Sequence, residues 1–308
     1  MLRLFVCLRG NMPETRKIYK ILKSKPTIEG AGVHLHRAFG FGETHTFDPF
    51  LLLDDFRGDH PDDYKAGFPW HPHRGIETIT YVLRGKVAHG DSLGNQGSIT
   101  AGDVQWMTAG SGILHQEMPE GDPDGRMYGF QLWANLPRAD KLMAPRYQDI
   151  KSQQIPLVTL EGGVLVRVIC GEVADVRGPV ENIVIDPQYL DITMPAGTRF
   201  VFPTASGRTV FAYVFEGKAN FHKEKEFGST PSAFAQLMEN RTLIIYEDGE
   251  QIVVNTAEDP VRFLLVSGRP IREPVAWYGP IVMNTDEELR TAYNELQNGT
   301  FIKQKKNI

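Results

Sequence analysis

Two short motifs in this chain carry side chains of the kind that bind metal ions. One holds His71 and His73 with a proline between them, and the other holds His115 and Glu117 with a glutamine between them. Alternate residues of a β-strand point to the same face, so each motif on a strand would direct two donor atoms at one point. Three imidazoles and a carboxylate suit a first-row transition metal: iron, manganese, cobalt, nickel, copper or zinc. The spacing therefore predicts one such ion held between two strands.

The carboxylate of this predicted site has two candidates. Glu77 follows His73 by four residues, and Glu117 follows His115 by two residues on the same strand face. Spacing alone does not choose between these two carboxylates, so both stay open at this point.

Three further histidines could also be considered as metal ligands. His34 and His36 form another pair one residue apart, but no second ligand pair stands in a matching position. Pairs of this kind arise easily by chance, so we expect this one to be structural or to lie at the surface. His89 belongs to a strand near the site, and it either is an ordinary strand residue or faces the barrel interior beside the ligands.

The segments around the ligand motifs are predicted to be short strands. Residues 76–83 alternate between two sets of side chains, Arg84-Gly85 makes a hairpin turn, and residues 110–112 break the chain before the second ligand motif. Strands that recur about every 8–12 residues with glycine between them indicate a sandwich or barrel rather than an α/β fold. We therefore predict an all-β protein with the metal inside a β-barrel.

The second half of the chain repeats part of the first half. The segment 80–89 matches the segment 212–221 at four positions. The matching pairs are Tyr81 and Tyr213, Val82 and Val214, Gly85 and Gly217, and Lys86 and Lys218. At the positions that correspond to the first histidine pair, the second copy has Pro203 and Ala205, and His222 is the last histidine. The repeat predicts two copies of one β-unit with a metal site in the first copy only.

Length and composition fit two domains in a reducing compartment. The chain has 308 residues, 41% of them hydrophobic, and a net charge of −5, so it offers no basic field for nucleic acid or an anionic membrane. Cys7 and Cys170 are too few for a disulfide scaffold, and no apolar run reaches the roughly 20 residues of a membrane span. We predict an extension with a first strand (1–30), a metal-binding domain (31–137), a connector (138–163) and a second domain (164–308).

One helix is predicted near the C-terminus. Thr285 and Glu288 form a capping box, in which each side chain bonds the backbone of the other residue. An apolar stripe at helical spacing follows from Leu289 to Leu296, and Asn298-Gly299 ends the helix. We expect this helix to pack on a barrel.

Several motifs together resemble the pirin family of the bicupin superfamily. The most specific are His-Pro-His-Arg-Gly at 71–75 and Gln-Trp-Met-Thr-Ala-Gly at 105–110, and the resemblance extends over roughly residues 33–297. It implies two packed cupin (jelly-roll-like) β-barrel domains with metal, usually iron, in the N-terminal one. The ligands implied by the resemblance are His71, His73, His115 and Glu117, with Glu77 as a neighbouring residue.

The resemblance also implies two classes of function. Some pirins cleave flavonols such as quercetin with O₂, and we expect a flavonol 2,3-dioxygenase in which Glu117 is both ligand and base. Trp106, Met107 and Leu114 would form a dry wall for a flat substrate, or would instead belong to the ordinary core of the barrel. The alternative is a protein-interaction or co-regulator module without turnover, which responds to the metal oxidation state through exposed charged residues beside the site, such as Arg37, Asp54 and Asp55.

This chain departs from the pirin pattern at the expected cavity mouth. Trp70 precedes the first ligand where aspartate is common, Ile76 replaces a common phenylalanine, and the loop at 58–66 is longer. These differences bear on the choice of substrate. We expect a monomer in the cytoplasm, or in the nucleus of a eukaryotic cell, that binds neither membrane nor nucleic acid directly.

Overall fold

The computed structural model describes residues 13–221 and 237–303 of the chain. Cys7, His222 and residues 304–308 lie outside these ranges. Within them the chain forms two β-barrels packed against each other, followed by a C-terminal helix, which confirms the all-β prediction. No helix in these ranges combines the length and apolar character needed to cross a bilayer.

The N-terminal barrel is built from two sheets. The first part of the chain contains these strands: β1 (Ile18–Lys23), β2 (Lys25–Glu29), β3 (Val33–Phe39), β4 (Phe50–Asp55), β5 (Phe68–His73), β6 (Ile76–Arg84), β7 (Lys86–Asp91), β8 (Gln96–Thr100), β9 (Val104–Thr108), β10 (Ile113–Glu120), β11 (Tyr128–Asn135) and β12 (Arg146–Ile150). The larger sheet has the order β12-β9-β6-β11-β4-β3-β2, and the smaller sheet has the order β5-β10-β7-β8. Two short helices, α1 (Thr44–Phe47) and α2 (Pro61–Tyr64), flank β4. Apolar side chains from both sheets fill the space between them.

The C-terminal barrel follows the same plan. Its strands are β13 (Leu157–Thr159), β14 (Leu165–Cys170), β15 (Glu172–Val173), β16 (Val176–Arg177), β17 (Gln188–Met194), β18 (Arg199–Pro203), β19 (Thr209–Ala219), β20 (Met238–Glu239), β21 (Thr242–Tyr246), β22 (Gln251–Asn255), β23 (Val261–Gly268), β24 (Ala276–Tyr278) and β25 (Ile281–Met283). The order of its large sheet among the described strands is β1-β21-β19-β23-β17-β14-β13, and β18 pairs with β22 in the facing sheet. Phe200 and Phe202 of β18 are buried inside this barrel, where the sequence repeat predicts no metal ligands.

Segments outside the two predicted domains also join the sheets. β1 pairs with β21 of the C-terminal barrel, whereas β2 pairs with β3 of the N-terminal barrel. The predicted connector contains β12, which extends the N-terminal sheet, and β13, which extends the C-terminal sheet. Pro145 and Pro156 directly precede β12 and β13, and edge strands tolerate a proline because only one of their sides is paired.

The two large sheets pack face to face, and reciprocal hydrogen bonds cross the contact. The Tyr81 hydroxyl of the N-terminal barrel donates to Asp191 Oδ2 of the C-terminal barrel over 2.7 Å. In the other direction, the Tyr213 hydroxyl donates to Asp55 Oδ2 over 2.9 Å. Each carboxylate also receives two hydrogen bonds from the guanidinium group of an arginine. Arg262 donates to Asp191, and Arg57 donates to Asp55. These buried charges are thus paired and hydrogen-bonded, as burial requires.

The sequence repeat has a physical basis in both barrels. Tyr81 and Tyr213, which match in the repeat, are the two donors across the contact. Gly85 and Gly217, which also match, have φ of +79° and +69°. A Cβ atom would lie 2.6 Å from the Glu120 carbonyl at Gly85, and 2.0 Å from a carbonyl at Gly217. Glycine is therefore required at this turn in each copy.

The predicted C-terminal helix is confirmed as α3 (Asp286–Gln297). Glu288 N–H donates to Thr285 Oγ1 over 3.2 Å, and Thr285 N–H donates to Glu288 Oε2 over 3.0 Å. The helix buries Leu289 and Ala292 against the hairpin formed by β24 and β25. It thereby fixes a hairpin that reaches the N-terminal barrel.

We predict that Tyr81→Phe and Tyr213→Phe each lower the free energy of unfolding by about 1–3 kcal/mol, because each removes a buried hydrogen bond to a carboxylate. Urea unfolding followed by circular dichroism measures the effect. Tyr19→Phe, at an exposed tyrosine, is the matched control and should leave the free energy unchanged. Equal stability of all four proteins would show that the reciprocal bonds do not hold the barrels together.

Candidate metal centre

Antiparallel pairing of β5 with β10 brings the predicted ligand motifs together. His71 lies directly opposite His115, and His73 lies opposite Ile113. The pairing becomes irregular between His115 and Glu117, where Glu117 comes to lie opposite Phe68. The two motifs, distant in sequence, therefore occupy neighbouring strands of the small sheet.

Three imidazoles form a compact cluster. The nearest ring nitrogens of His71, His73 and His115 all lie within 4.8 Å of one another. The ring centroids are 4.8 Å apart for His71 and His73, and 4.4 Å apart for His71 and His115. His73 and His115 are buried, and His71 is partly exposed. This is a spacing at which one cation can contact all three side chains.

Hydrogen bonds and burial prepare the imidazoles to bind a cation. Nδ1 of His71 lies 2.8 Å from the Pro69 carbonyl oxygen, and Nδ1 of His73 lies 3.1 Å from the Pro280 carbonyl oxygen. Each Nδ1 therefore carries the proton, and each Nε2 presents a lone pair. The two Nε2 atoms are only 3.1 Å apart, so their lone pairs repel unless a cation lies between them.

His115 gives a second indication that the site fits a metal. Both of its ring nitrogens are buried and have no hydrogen-bond partner within the described ranges. Burial lowers the pKa of His115 and of His73 well below the usual value, and the neighbouring imidazoles lower it further. The rings are therefore neutral at physiological pH, which is the form that binds metal.

Glu117 lies beside the cluster on the wall of the same cavity. Its Oε1 atom is 2.8 Å from the Thr80 hydroxyl, which in turn lies 2.6 Å from Gln131 Oε1. Burial raises the pKa of Glu117, although the hydrogen bond from Thr80 opposes that rise. Its carboxylate oxygens lie outside the set of atoms that are mutually within 4.8 Å.

Glu77, the other carboxylate candidate, points to the opposite face of β6. Its Oε1 atom accepts a hydrogen bond of 2.6 Å from the Thr108 hydroxyl, and Arg146 lies 4.0 Å away. Ile79, on the same strand face, belongs to the core between the barrels. Glu77 is therefore turned towards the contact with the C-terminal barrel, whereas Thr80 is turned towards the cavity.

The other histidines considered in the sequence lie away from the cluster. His89 is buried, stacks on Tyr147 at 5.5 Å and lies 3.3 Å from Asp149. It faces Glu117 across the pairing of β7 with β10. His34 is largely exposed beside Asp63. Neither His89, His34 nor His36 belongs to the metal-binding group found among the described residues.

A cavity of about 630 Å³ opens next to the cluster. His71, His73 and Glu117 line it, together with seven aromatic side chains. These are Phe41, Phe56, Tyr64, Phe68, Trp70, Trp133 and Trp277. The cavity thus combines a polar inner end with an apolar wall.

The prediction of a wall formed by Trp106, Met107 and Leu114 is wrong. Trp106 faces the core between the barrels, Met107 packs inside the barrel against other apolar residues, and Leu114 packs in the cluster around the C-terminal helix. Their positions in the sequence did not indicate which strand face each side chain occupies. Trp133 of β11 and Trp277 of β24 form part of the wall instead, and they come from distant parts of the chain.

The polar side of the cavity contains an ion-pair group. The prediction that Asp54 and Asp55 are exposed beside the site is wrong, because both carboxylates are buried. The guanidinium of Arg37 donates two hydrogen bonds, of 2.8 and 2.7 Å, to the carboxylate of Asp54. Arg37 also lies 2.9 Å from Glu29. Both sides of this cation are therefore occupied, which leaves it poorly able to bind an anionic ligand.

The C-terminal half of the chain contacts the segment that carries His73. The hairpin of β24 and β25 supplies the Pro280 carbonyl to His73, and Val282 N–H donates to the Arg74 carbonyl over 3.1 Å. Buried Lys141 donates to the carbonyl oxygens of Gly75 and Val282, each over 3.0 Å, and to Asn135 Oδ1 over 2.7 Å. Lys141 thereby joins the segment after His73 to the hairpin.

Comparison with known families and proteins agrees with this arrangement. The Pirin family model matches residues 32–134, and the model of the Pirin C-terminal cupin domain matches residues 189–302. A pirin-like protein from Caulobacter vibrioides is 44% identical over 287 residues, which are 93% of this chain and 99% of that protein. Human pirin is 38% identical over 290 residues, covering 93% of this chain and 94% of that protein.

A solved structure shows the same architecture. The crystal structure of quercetin 2,3-dioxygenase from Acinetobacter baumannii superposes with a TM-score of 0.81. It is 33% identical in sequence and covers 93% of this chain and 98% of that one.

We predict a pH-dependent contribution of Lys141 to stability. Burial lowers the pKa of Lys141 to about 7 from 10.5, so the unfolded chain binds more protons between these pH values and stability rises with pH. Between pH 7 and pH 9, wild type should gain about 2 kcal/mol relative to Lys141→Met. Urea unfolding of both proteins at the two pH values measures this gain. A difference independent of pH would mean that the ammonium stays charged throughout.

Proposed function

This chain belongs to the pirin family, and from that premise we propose that it binds one divalent transition metal through His71, His73, His115 and Glu117. The observation that carries the proposal is the cluster of three imidazoles, in which buried His115 has no hydrogen-bond partner among the described residues. Iron(II) is the first choice, and manganese, cobalt, nickel, copper and zinc suit the same donors.

Glu117 is the fourth ligand that the geometry favours. It lies two residues from His115 and shares the cavity with His71 and His73. Glu77 is directed away from this cavity by the alternation of β6, and its carboxylate is bonded to Thr108. A metal bound by the imidazoles would also stabilise the charged form of Glu117 against the effect of burial.

We further propose that the protein is a flavonol 2,3-dioxygenase that acts on quercetin-like substrates. The similarity to the quercetin 2,3-dioxygenase of Acinetobacter baumannii supports this assignment, as does a cavity with a polar inner end and an aromatic wall. In the overall reaction, O₂ is consumed, the central ring of the flavonol opens and carbon monoxide leaves.

The chain's own residues supply substrate positioning and proton transfer. When bound, the metal would hold the flavonol oxygens and lower the pKa of the hydroxyl group. Glu117 lines the same cavity and is the carboxylate placed to accept the hydroxyl proton. Thr80 positions one oxygen of that carboxylate. The aromatic wall limits access of water to the reacting ring.

We predict one metal ion per chain and a different effect of the two carboxylates. Glu117→Gln should lower metal affinity by at least about tenfold, because a neutral amide is a weaker ligand. Glu77→Gln, on the other strand face, is the matched control and should retain the metal. Elemental analysis after dialysis against a weak chelator measures both. Loss of metal from the Glu77 variant alone would reverse the assignment of the fourth ligand.

We also predict that metal-loaded protein bleaches the absorbance of quercetin in air and releases carbon monoxide. The reaction should be followed with iron, manganese, cobalt, nickel and copper in turn, and His115→Ala should lose it with every metal. If none of these metals supports bleaching, the dioxygenase assignment is wrong, and metal binding without turnover is left.

A further inference from the structure

We propose that Trp277 and Phe41 form a distal aromatic subsite, which binds a second ring of the ligand outside the metal-binding end of the cavity. The inference rests on the proposed function for the position of the ligand's chelating end. It goes further in naming the ligand class: a planar chelating ring system that carries a separate aryl ring.

A continuous series of aromatic rings leads from the histidine cluster to the cavity mouth. His73 contacts Trp133 edge to face, with ring centroids 5.0 Å apart, and Trp133 lies 6.0 Å from Trp277. Trp277 then lies 5.6 Å from Phe41 at an interplanar angle of 69°. All four side chains line the same cavity. A ligand that begins at His73 therefore meets aromatic surface along the whole wall.

The outer two rings come from different halves of the protein. Phe41 follows β3 of the N-terminal barrel, and Trp277 lies on β24 in the hairpin of the C-terminal half. Phe41 is 75% exposed, so it contributes little to the core. Trp277 donates its indole N–H to the Gly279 carbonyl over 2.7 Å, so its polar atom is satisfied within its own hairpin. The ring surface that remains is apolar and available for stacking.

The charges of the cavity define the ligand further. Arg37 is already paired with Asp54 and Glu29, so a carboxylate or phosphate on the ligand would find no free cation there. The acidic partners instead suit hydroxyl groups, which donate hydrogen bonds. A neutral polyhydroxylated aryl ring fits both the stacking surface and this polar neighbour.

Binding of two probes separates the subsite from the metal-binding end. Quercetin carries the pendant aryl ring, whereas 3-hydroxychromone keeps the chelating ring system and lacks it. Isothermal titration calorimetry on zinc-loaded protein without oxygen measures both dissociation constants in the absence of turnover. The variants are Trp277→Ala and Phe41→Ala, which alter the subsite from opposite halves. The matched control is Tyr278→Ala, because Tyr278 is 68% exposed and packs on Tyr293 outside the cavity.

Wild type should bind quercetin more tightly than 3-hydroxychromone. Each subsite variant should weaken quercetin binding by about tenfold and leave 3-hydroxychromone binding and the zinc content unchanged. Tyr278→Ala should change neither ligand. Phe41→Ala removes an exposed side chain and should therefore fold normally. The subsite can be tested with this variant even if the Trp277 variant misfolds.

Equal affinity of wild type for the two probes, or no binding of either, would overturn the subsite. It would also be overturned if both subsite variants weakened the two probes equally or changed neither. The dioxygenase proposal fails on a different result, namely no bleaching in air by metal-loaded wild type. Tight, ring-dependent binding without bleaching would therefore support the subsite and reject the enzyme.

Discussion

The structure depends on one constraint: the central strands of the two large sheets, such as β6, β9 and β23, are buried on both faces. In β6, the even-numbered residues face the interior of the N-terminal barrel, and the odd-numbered residues face the C-terminal barrel. Because the side chains of a strand alternate, a shift of one residue would exchange the two environments. Thr80 consequently contacts Glu117 of the candidate site, while Tyr81 donates to Asp191 across the contact. The same alternation places Glu77 away from the histidines.

This double burial also explains the polar groups between the barrels. An unpaired carboxylate there would be costly, so Asp55 and Asp191 are each satisfied by an arginine and by a tyrosine from the other barrel. The tyrosines occupy matching positions of the sequence repeat, so each barrel donates one hydrogen bond across the contact and accepts one in return. The contact is therefore apolar, and its hydrogen bonds also set the orientation of one barrel relative to the other. This orientation fixes how the C-terminal hairpin meets the N-terminal cavity.

Much of this arrangement could be predicted from the sequence. The all-β fold, the repeat and the capped C-terminal helix depend on local patterns, such as alternation, glycine turns and the pair Thr285 and Glu288. The convergence of His71, His73 and His115 also follows from spacing on strands. The cavity wall did not follow, because the Trp106 motif carries no information about which face of β9 is turned inward. Trp277 and Pro280 reach the site only through tertiary packing.

The C-terminal barrel therefore has a role although it lacks the histidine pair. Its β18 fills the barrel interior with Phe200 and Phe202, so this copy gains apolar packing where the first copy keeps a polar site. Its hairpin in turn positions His73 through Pro280 and is secured by Lys141. Because the imidazole of His73 is oriented by a carbonyl from the other half, separation of the barrels would disturb the cluster as well as the fold. The geometry of the candidate metal centre is thus a property of the two halves together.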